Sequence, residues 1–379
     1  MAVATIENDL VLPKGALWYE VVGPEGADSG TAPVIVCGED VGGTDAILEV
    51  AFELAVQRRM RVMALLAGHG EQVFMRRAKE HCLTVTPSDD PGATKLPRAV
   101  ILSPSVSARL ERFLMRRYSG KVDITVDEDF AVACRRIIDF AIEQGLEMPT
   151  VCASDDIAKE LLIGWFPGHD IPIEVTGSPT FDPLSKENPQ EVYEAKRRRL
   201  CIPVGKIFVP ILLPFLGDLD RDAIVQDIAG GLAMVNDPNV LFAIGPHQLD
   251  AQDPMANWWS FDSLDYMDAS AYSSDDLVDA ADLVIGGRSN ITKRAAERLR
   301  DNITLLTPLL LGFTFPAVDA GVSVGARPEE LAVVIPEVLE GRSERSRAAA
   351  AAREARRSKG DAARQVVDVA LRNTIAVAA

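Results

Sequence analysis

The sequence lacks paired cysteines, a surplus of basic residues and long apolar runs. Its five cysteines include no Cys-x-x-Cys pair, which favours free thiols in a reducing, cytoplasmic compartment. The net charge of -17 argues against nucleic acid as a partner, because duplex binding normally needs a basic face. The longest apolar run is interrupted by Pro210 and Pro214 and falls short of the ~20 residues that span a bilayer, so no membrane span is predicted. The first nine residues also lack the pattern of a signal peptide.

Histidine and aromatic residues are scarce as well. The four histidines are scattered, and none has carboxylates at a ligand-like spacing, so no metal site is predicted. Aromatic residues make up only 6% of the chain, and small aliphatic residues supply most of its 47% hydrophobic content. This mixture is typical of helices packed on buried parallel sheets. With 379 residues, the chain is long enough for two such domains at roughly 100–200 residues each.

Short apolar runs alternate with segments of helical periodicity, which predicts an α/β fold with parallel sheets. The alternation stops at a polar, Arg-rich stretch and then begins again, which indicates two Rossmann-like domains facing a cleft. The end of the chain is rich in Ala and Arg and predicts a long C-terminal helix. The predicted boundaries are 1–184 for the N-terminal domain, 185–204 for a linker, 205–340 for the C-terminal domain and 341–379 for a helix that packs back on the N-terminal domain.

A glycine-rich turn in the second half predicts a phosphate site. Gly286-Gly287-Arg288-Ser289-Asn290 follows a predicted strand and begins a predicted helix. Glycines let the backbone approach an anion closely, and the first N–H groups of the helix point towards it. Arg288 can add a charge-assisted hydrogen bond. The alternative is that Ser289 or Asn290 simply caps the helix.

Two segments resemble the GT-B-type glycosyltransferases and their UDP-GlcNAc 2-epimerase relatives. Val175 to Asp182 (VTGSPTFD) is similar to the family's segment before its interdomain linker. Asp276 to Ser289 (DLVDAADLVIGGRS) is similar to the family's segment at the nucleotide site. The resemblance implies a GT-B-like fold and a nucleotide-diphosphate sugar as substrate, with no further cofactor. It also implies a glutamate that grips the ribose hydroxyls, and that position falls near Arg294 in this chain.

On this resemblance, the second domain holds the nucleotide and the first presents an acceptor. The nucleotide- and phosphate-binding set is Gly217, Gly245, His247, Gly286, Gly287, Arg288, Ser289 and Asn290. His247 follows a predicted strand, where a base or phosphate contact and a structural role both stay open.

Acidic residues and a histidine mark the acceptor side in the first half. Glu39, Asp40 and His69 follow predicted strands and are the candidate catalytic residues, because carboxylates and imidazole can take a proton from an attacking hydroxyl. A capped tight turn for the acidic residues and an exposed, inert His69 are the alternatives. The adjoining segment is predicted to be an acceptor-side loop, which consists of Gly42, Gly43, Thr44 and Asp45.

Three functions follow from these residues. The first is transfer of a sugar from a nucleotide-diphosphate sugar to an unidentified acceptor. The second, as the runner-up, is nucleotide-sugar 2-epimerisation, which the resemblance also allows because a shared fold does not settle the reaction. The third is a catalytically silent scaffold, suggested by Arg294 at the ribose position. If the protein forms a homo-oligomer, Trp258-Trp259 and the C-terminal tail are the expected contacts.

Overall fold

The computed structural model divides the chain into two compact units, Met1–Pro183 with Ser358–Ala379, and Leu184–Arg357. Within the described residues, no helix has the length and apolar character needed to cross a membrane. The structure describes residues 11–27, 31–91, 96–105, 107–118, 122–126, 132–213, 221–235, 237–245, 266–269, 271–287, 290–307 and 315–376.

The first unit is built on an eight-stranded sheet with the order β4-β1-β3-β2-β5-β6-β7-β8. β1 runs antiparallel to both β3 and β4, and the other neighbouring strands are parallel. The strands are β1 (Leu17–Val22), β2 (Val34–Gly38), β3 (Val62–Leu66), β4 (Thr84–Pro87), β5 (Ala99–Leu102), β6 (Val122–Val126), β7 (Thr150–Ala153) and β8 (Ile173–Val175).

Helices cover this sheet. α1 continues into a π-helical turn, Glu53–Gln57, and α14 comes from the far end of the chain. The apolar faces of α1 and α14 join β2 and β3 in one buried cluster, which includes Ile47, Leu54 and Val366. The helices are α1 (Val41–Phe52), α2 (Gly68–Glu80), α3 (Arg109–Arg117), α4 (Val132–Gln144), α5 (Asp156–Trp165), the short α6 (Asp182–Ser185) and α14 (Ala362–Ala376).

The second unit contains a six-stranded parallel sheet with the order β11-β10-β9-β12-β13-β14. Its strands are β9 (Ile207–Leu212), β10 (Val240–Gly245), β11 (Tyr266–Asp268), β12 (Leu283–Gly286), β13 (Asp301–Leu305) and β14 (Val324–Ala326). Its helices are α7 (Pro189–Arg199), α8 (Arg221–Ala233), α9 (Ser274–Ala280), α10 (Asn290–Glu297), α11 (Pro316–Asp319), α12 (Leu331–Leu339) and α13 (Glu344–Arg356). Two parallel α/β sheets in series confirm the predicted fold class of two Rossmann-like domains.

The polar stretch predicted as a linker forms α7, which is anchored within the second unit. Arg197 donates to the carboxylate of Asp282 at 2.6 Å and to the carbonyl of Lys206 at 2.6 Å. The Tyr193 hydroxyl donates to the same Asp282 carboxylate at 2.6 Å. Lys196 forms an ion pair with Asp276. The basic residues of this segment therefore fasten α7 to the start of β12 and to α9.

The C-terminal tail forms two helices where the sequence predicts one. α13 ends at Arg356 and α14 begins at Ala362. α13 belongs to the second unit, where Arg353 is buried and pairs with Asp301 at the start of β13. Only α14 packs on the first unit. The break between them includes Gly360 at φ +79°, a left-handed conformation that suits glycine.

Two adjacent glycines in α8 offer a matched test of packing. A Cβ on Gly231 would overlap the carbonyl oxygen of Pro328 and lie 2.7 Å from the carbonyl carbon, whereas a Cβ on Gly230 meets nothing within 4 Å. We therefore expect Gly231→Ala to lower the free energy of unfolding by about 1–3 kcal/mol through overpacking. Gly230→Ala should raise it by roughly 0.5–1 kcal/mol, because alanine favours a helix. Denaturant titrations of both variants measure this, and equal effects would contradict the close contact with Pro328.

Candidate functional site

The strand order identifies one point in each sheet where a ligand crevice is expected. In the first sheet the chain goes from β2 to β3 on one side and later to β5 on the other side. In the second sheet it goes from β9 to β10 on one side and to β12 on the other. Ligands of open parallel α/β sheets bind at the carboxyl ends of the strands that flank such a switch point. The ends of β2 and β5 in the first unit, and of β9 and β12 in the second unit, are therefore the candidate ligand-binding positions.

Glu39 lies at the switch point of the first sheet, one residue after β2. Its carboxylate accepts a hydrogen bond from the Ser107 hydroxyl at 2.5 Å. The Nε of Arg109 donates to its other oxygen at 2.9 Å, and Nη2 of the same guanidinium forms an ion pair with it. Ser107 and Arg109 belong to the segment that follows β5, and both are exposed, whereas Glu39 is 7% exposed. The two strand ends thus hold one carboxylate in a fixed orientation.

A second carboxylate, Glu111, lies behind Glu39 and was not predicted from the sequence. It is fully buried on α3, where it accepts hydrogen bonds from the Ser105 N–H at 2.6 Å and the Ser105 hydroxyl at 3.2 Å. Its pKa is raised to about 7, mainly by burial and in part by the charge of Glu39, while the hydrogen bonds from its own backbone and from Ser105 oppose the shift. A carboxyl that titrates near neutrality can exchange protons at physiological pH. A glutamate on an amphipathic helix carries no sequence signal that separates it from a surface residue.

Local backbone geometry fixes the segment between β5 and α3. Ala108 has a φ of +51°, a left-handed conformation that is unusual for alanine, and it immediately precedes α3. Its N–H donates to the Ser105 hydroxyl at 2.9 Å. This turn directs Ser105 towards Glu111 and leaves Ser107 next to Glu39. Strained residues of this kind often occur at functional sites.

The prediction of an acceptor-side loop is wrong, because helix α1 begins at Val41 and includes all four of the residues assigned to that loop. Gly43 allows helix α1 to approach β5 closely, since a Cβ there would lie 2.8 Å from the Ser103 hydroxyl. Thr44 is buried and donates to the Asp40 carbonyl at 2.6 Å, and Asp45 forms an ion pair with Arg77 of α2. Gly42, Gly43, Thr44 and Asp45 therefore make the first turns of a helix that packs at the switch point.

The other two predicted catalytic residues lie at the same edge of the sheet as Glu39. Asp40 is the next residue in the sequence, and His69 follows β3, the strand that pairs with β2. Asp40 is half-buried at the N-cap position of α1. His69 is exposed in the first turn of α2, and its side chain has no partner among the described residues. The backbone N–H of Gly70 donates to the Glu39 carbonyl at 2.8 Å, which ties the two loops together. The structure thus brings Glu39, Asp40 and His69 to one edge of the sheet, where Arg109 pairs with Glu39.

Asp182, in the segment that resembles the family motif, has a structural role. Its buried carboxylate accepts from the backbone N–H groups of Ala362 at 3.0 Å and Ala363 at 2.8 Å. The Ser358 hydroxyl also donates to it at 3.3 Å. Gly177 lies against the same helix end with φ +85°, and a Cβ on this glycine would lie only 3.1 Å from the Ala362 methyl. The motif therefore attaches the first turn of α14 to the first unit.

In the second unit, the predicted phosphate turn lies at the switch point. Gly286 ends β12, pairs with Leu212 at the end of β9, and is buried together with Gly287. A Cβ on Gly286 would lie 3.2 Å from the Thr292 methyl and 3.5 Å from the Leu212 carbonyl oxygen, so glycine permits close packing there. Helix α10 begins at Asn290, and Gly245 ends the neighbouring strand β10. Four predicted members of this site lie outside the described residues, namely Gly217, His247, Arg288 and Ser289, as do Trp258 and Trp259.

Arg294, near the position where the resemblance implies a ribose-binding glutamate, takes part in an ion-pair network. Its guanidinium lies 3.2 Å from Asp275 and 3.6 Å from Asp279, both on α9. Asp279 is buried and also accepts from Arg298 at 2.8 Å. Arg294 therefore joins α10 to α9.

The described residues contain no cluster of three or more His, Cys, Asp or Glu residues that could hold a metal ion.

The fold of the whole chain matches several solved structures. The UDP-GlcNAc 2-epimerase of Neisseria meningitidis bound to UDP-GlcNAc is 14% identical, with a TM-score of 0.64 over 90% of this chain and 100% of that one. HepE of Anabaena in complex with UDP-glucose is 12% identical, with a TM-score of 0.55 over 92% of this chain and 100% of that one. The wall teichoic acid polymerase TagF is 13% identical, with a TM-score of 0.55 over 91% of this chain and 89% of that one.

This chain has a GT-B-like fold. The match confirms the predicted resemblance at the level of the fold. No protein-family model and no curated protein matches the sequence.

The buried Glu111 predicts a pH-dependent stability. Its pKa in the folded protein, about 7, is above the ordinary value of 4.5. The raised pKa contributes its full stabilisation when the pH is below the ordinary pKa of 4.5. This stabilisation is lost as the pH rises through about 7. We expect the free energy of unfolding to fall by about 3 kcal/mol between these pH values, since one pKa unit corresponds to ~1.4 kcal/mol. Glu111→Gln should remove this loss, because an amide does not titrate in this pH range. Its oxygen can still accept from the Ser105 N–H, so the local hydrogen bond is kept.

Unfolding by urea from pH 4.5 to pH 8 measures this dependence. The exposed Glu143 on α4 supplies the control, since Glu143→Gln should keep the wild-type slope. An equal slope in Glu111→Gln and the wild type would contradict the assignment.

Proposed function

We propose that this protein is an enzyme that transfers a sugar from a nucleotide-diphosphate sugar to a hydroxyl acceptor, with Glu39 as the catalytic base. The proposal rests on the residues that lie at the two switch points. One holds an oriented carboxylate at Glu39, and the other holds the glycine turn that precedes α10. An enzyme of this class needs both a base and a diphosphate site.

In the proposed reaction, the acceptor oxygen forms a bond with the anomeric carbon as the bond from that carbon to the diphosphate breaks. Glu39 takes the proton of the acceptor hydroxyl. Arg109 and Ser107 hold the Glu39 carboxylate in place through the bonds described above. The N-terminus of α10 stabilises the negative charge of the leaving diphosphate, because its unpaired N–H groups and dipole favour anions. The nucleotide sugar is a substrate, and the proposal requires no additional cofactor.

A 2-epimerase is the second candidate. It is supported by the TM-score of 0.64 with the Neisseria enzyme, which exceeds the value of 0.55 for TagF and HepE. An epimerase also needs proton-transferring carboxyls, so Glu39 would serve either reaction. The two functions differ in product, because transfer releases the nucleoside diphosphate together with a glycosylated acceptor.

A scaffold without catalysis is the third candidate, and Arg294 favours it. The ion pairs of Arg294 with α9 replace the carboxylate that the resemblance implies for ribose binding. A scaffold of this kind would have no need to bind a nucleotide.

Thermal unfolding with UDP, GDP, CDP and dTDP, each with and without its sugar conjugate, tests the proposal. One nucleotide should stabilise the protein by about 2.7 kcal/mol at a hundredfold excess over its Kd. Mass spectrometry and NMR of the products then distinguish a released nucleoside diphosphate from an inverted C2 centre. Absence of stabilisation by every nucleotide at millimolar concentration would overturn both enzymatic functions and leave the scaffold.

A further inference from the structure

Glu39 and Glu111 are joined by a continuous chain of hydroxyl groups. The Ser107 hydroxyl lies 2.5 Å from one Glu39 oxygen, and 3.4 Å from the Ser105 hydroxyl. The Ser105 hydroxyl in turn lies 3.2 Å from a Glu111 oxygen. The first step is a short hydrogen bond, and the other two are longer than the usual ~2.5–3.0 Å of an O–H···O bond, so they must shorten when a proton passes. A hydroxyl both donates and accepts, so it can pass a proton on without a net change.

The two groups at the Glu111 end of this chain are the most buried. Ser107 is exposed and Glu39 is 7% exposed, whereas Ser105 is 2% exposed and Glu111 is fully buried. The Glu111 carboxyl accepts hydrogen bonds from the hydroxyl and the N–H of Ser105 and from its own backbone N–H, and among these described groups only the Ser105 side chain is a hydroxyl. A proton that reaches or leaves Glu111 through hydrogen-bonded groups therefore passes through the Ser105 hydroxyl.

We propose that Glu111 is the proton acceptor behind Glu39, and that Ser107 and Ser105 relay the proton between the two carboxyls. This inference rests on the proposed function for its catalytic role. In the relay, protonated Glu39 donates its proton to the Ser107 oxygen. Ser107 then passes its own hydroxyl proton to Ser105, and Ser105 passes its proton to Glu111. One proton leaves Glu39 and one arrives at Glu111, and both serines end with a single hydroxyl proton.

The charges around Glu111 suit this role. The Glu39 carboxylate raises the pKa of Glu111, so a negative Glu39 favours a proton on its neighbour. The thiol of Cys37 on β2 also faces Glu111, and burial raises the pKa of that thiol well above its ordinary value, so it stays neutral at physiological pH. Arg109, on the same helix as Glu111, carries a permanent positive charge and pairs with Glu39. Glu111 is therefore the group of this set whose raised pKa lets it take a proton near neutral pH.

Carbon-13 NMR of the full chain, labelled at glutamate carboxyls, tests the relay without any substrate. Glu39→Gln and Glu111→Gln assign the two signals. In the wild type, the Glu39 signal should show a second step at the pH where Glu111 titrates. Ser107→Ala should reduce that step to the part that the charge of Glu111 produces through space, since it removes the link but leaves Arg109 paired with Glu39. Ser107→Thr keeps the hydroxyl and should restore the step. Identical titration curves in the wild type and Ser107→Ala would overturn the relay.

The dependence of kcat on pH is the second test of the relay, and UDP-glucose and UDP-GlcNAc are the donor probes. Ser107→Ala should lower kcat by about 10- to 100-fold and remove the ionisation near pH 7 from the profile, while Ser107→Thr retains it. If neither probe is turned over but the NMR step depends on the Ser107 hydroxyl, the relay stands and the transferase function is not supported by these donors. If turnover occurs and Ser107→Ala leaves the kcat profile unchanged, the relay is wrong and the proposed function stands.

Discussion

Glu39→Gln should lower kcat by about 10²- to 10⁴-fold, the usual contribution of a general base. The amide keeps the shape of the side chain but cannot take a proton from the acceptor. KM for the nucleotide sugar should change little, because the diphosphate is assigned to the second unit. Steady-state kinetics with the donor found in the nucleotide screen measure both constants. Arg109 is half-exposed, so solvent can hydrate its guanidinium in the variant, and the fold should persist.

Glu20→Gln is the matched control for this experiment. Glu20 also accepts a hydrogen bond from the Nε of an arginine, Arg61, at 2.7 Å. It lies on β1 opposite Met63, near the start of β3 and away from the carboxyl ends of the strands. The control thus removes the same chemical pairing outside the site. Equal kcat values for Glu39→Gln and Glu20→Gln would show that Glu39 is not the base.

Asp182→Ala should detach α14 from the first unit. The substitution leaves the buried N–H groups of Ala362 and Ala363 without their acceptor. Each such group costs about 1–3 kcal/mol, so the free energy of opening α14 should fall by roughly 2–6 kcal/mol. Amide hydrogen exchange along α14 measures the loss, and a change of ~4 kcal/mol corresponds to about a thousandfold loss of protection. Exchange is preferred because a chain of two units need not unfold in a single step.

Two further variants make the test of Asp182 specific. Asp182→Asn keeps the oxygen that accepts from Ala362 but places an amide against the Ala363 N–H, so its effect should be intermediate. Asp170→Ala removes an exposed aspartate of the same unit and should leave the exchange of α14 unchanged. Unchanged protection in Asp182→Ala would contradict the capping role.

Strands buried on both faces could be predicted from the sequence with little ambiguity. β2, β3 and β5 are short, uninterrupted apolar runs, and the structure has them where the pattern indicates. β4 was missed because it is an edge strand whose residues, Thr84 to Pro87, are largely exposed and polar. Its pairing with β1 is what makes it a strand, and this partner is distant in the sequence.

The site was predictable only in part, for a similar reason. Glu39 directly follows an apolar strand, so its position at the sheet edge could be inferred from the sequence. Glu111 lies nine residues beyond β5, and its burial depends on the left-handed turn at Ala108 and on packing that a linear pattern does not contain. The first turn of α1 was predicted to be a loop because Gly42 and Gly43 are typical of turns, whereas Gly43 serves close packing against Ser103. Glycine alone does not distinguish these two uses.

The chain leaves the first unit at Pro183 and returns to it only at Ser358. Val366, Val367 and Ala370 of α14, which complete the first unit's apolar cluster, are thus synthesised only after the whole of the second unit. A nascent chain would expose the cluster surface beneath α14 throughout translation of the second unit. A stop codon or proteolytic cut after α13 would therefore damage the unit made first rather than the unit made second.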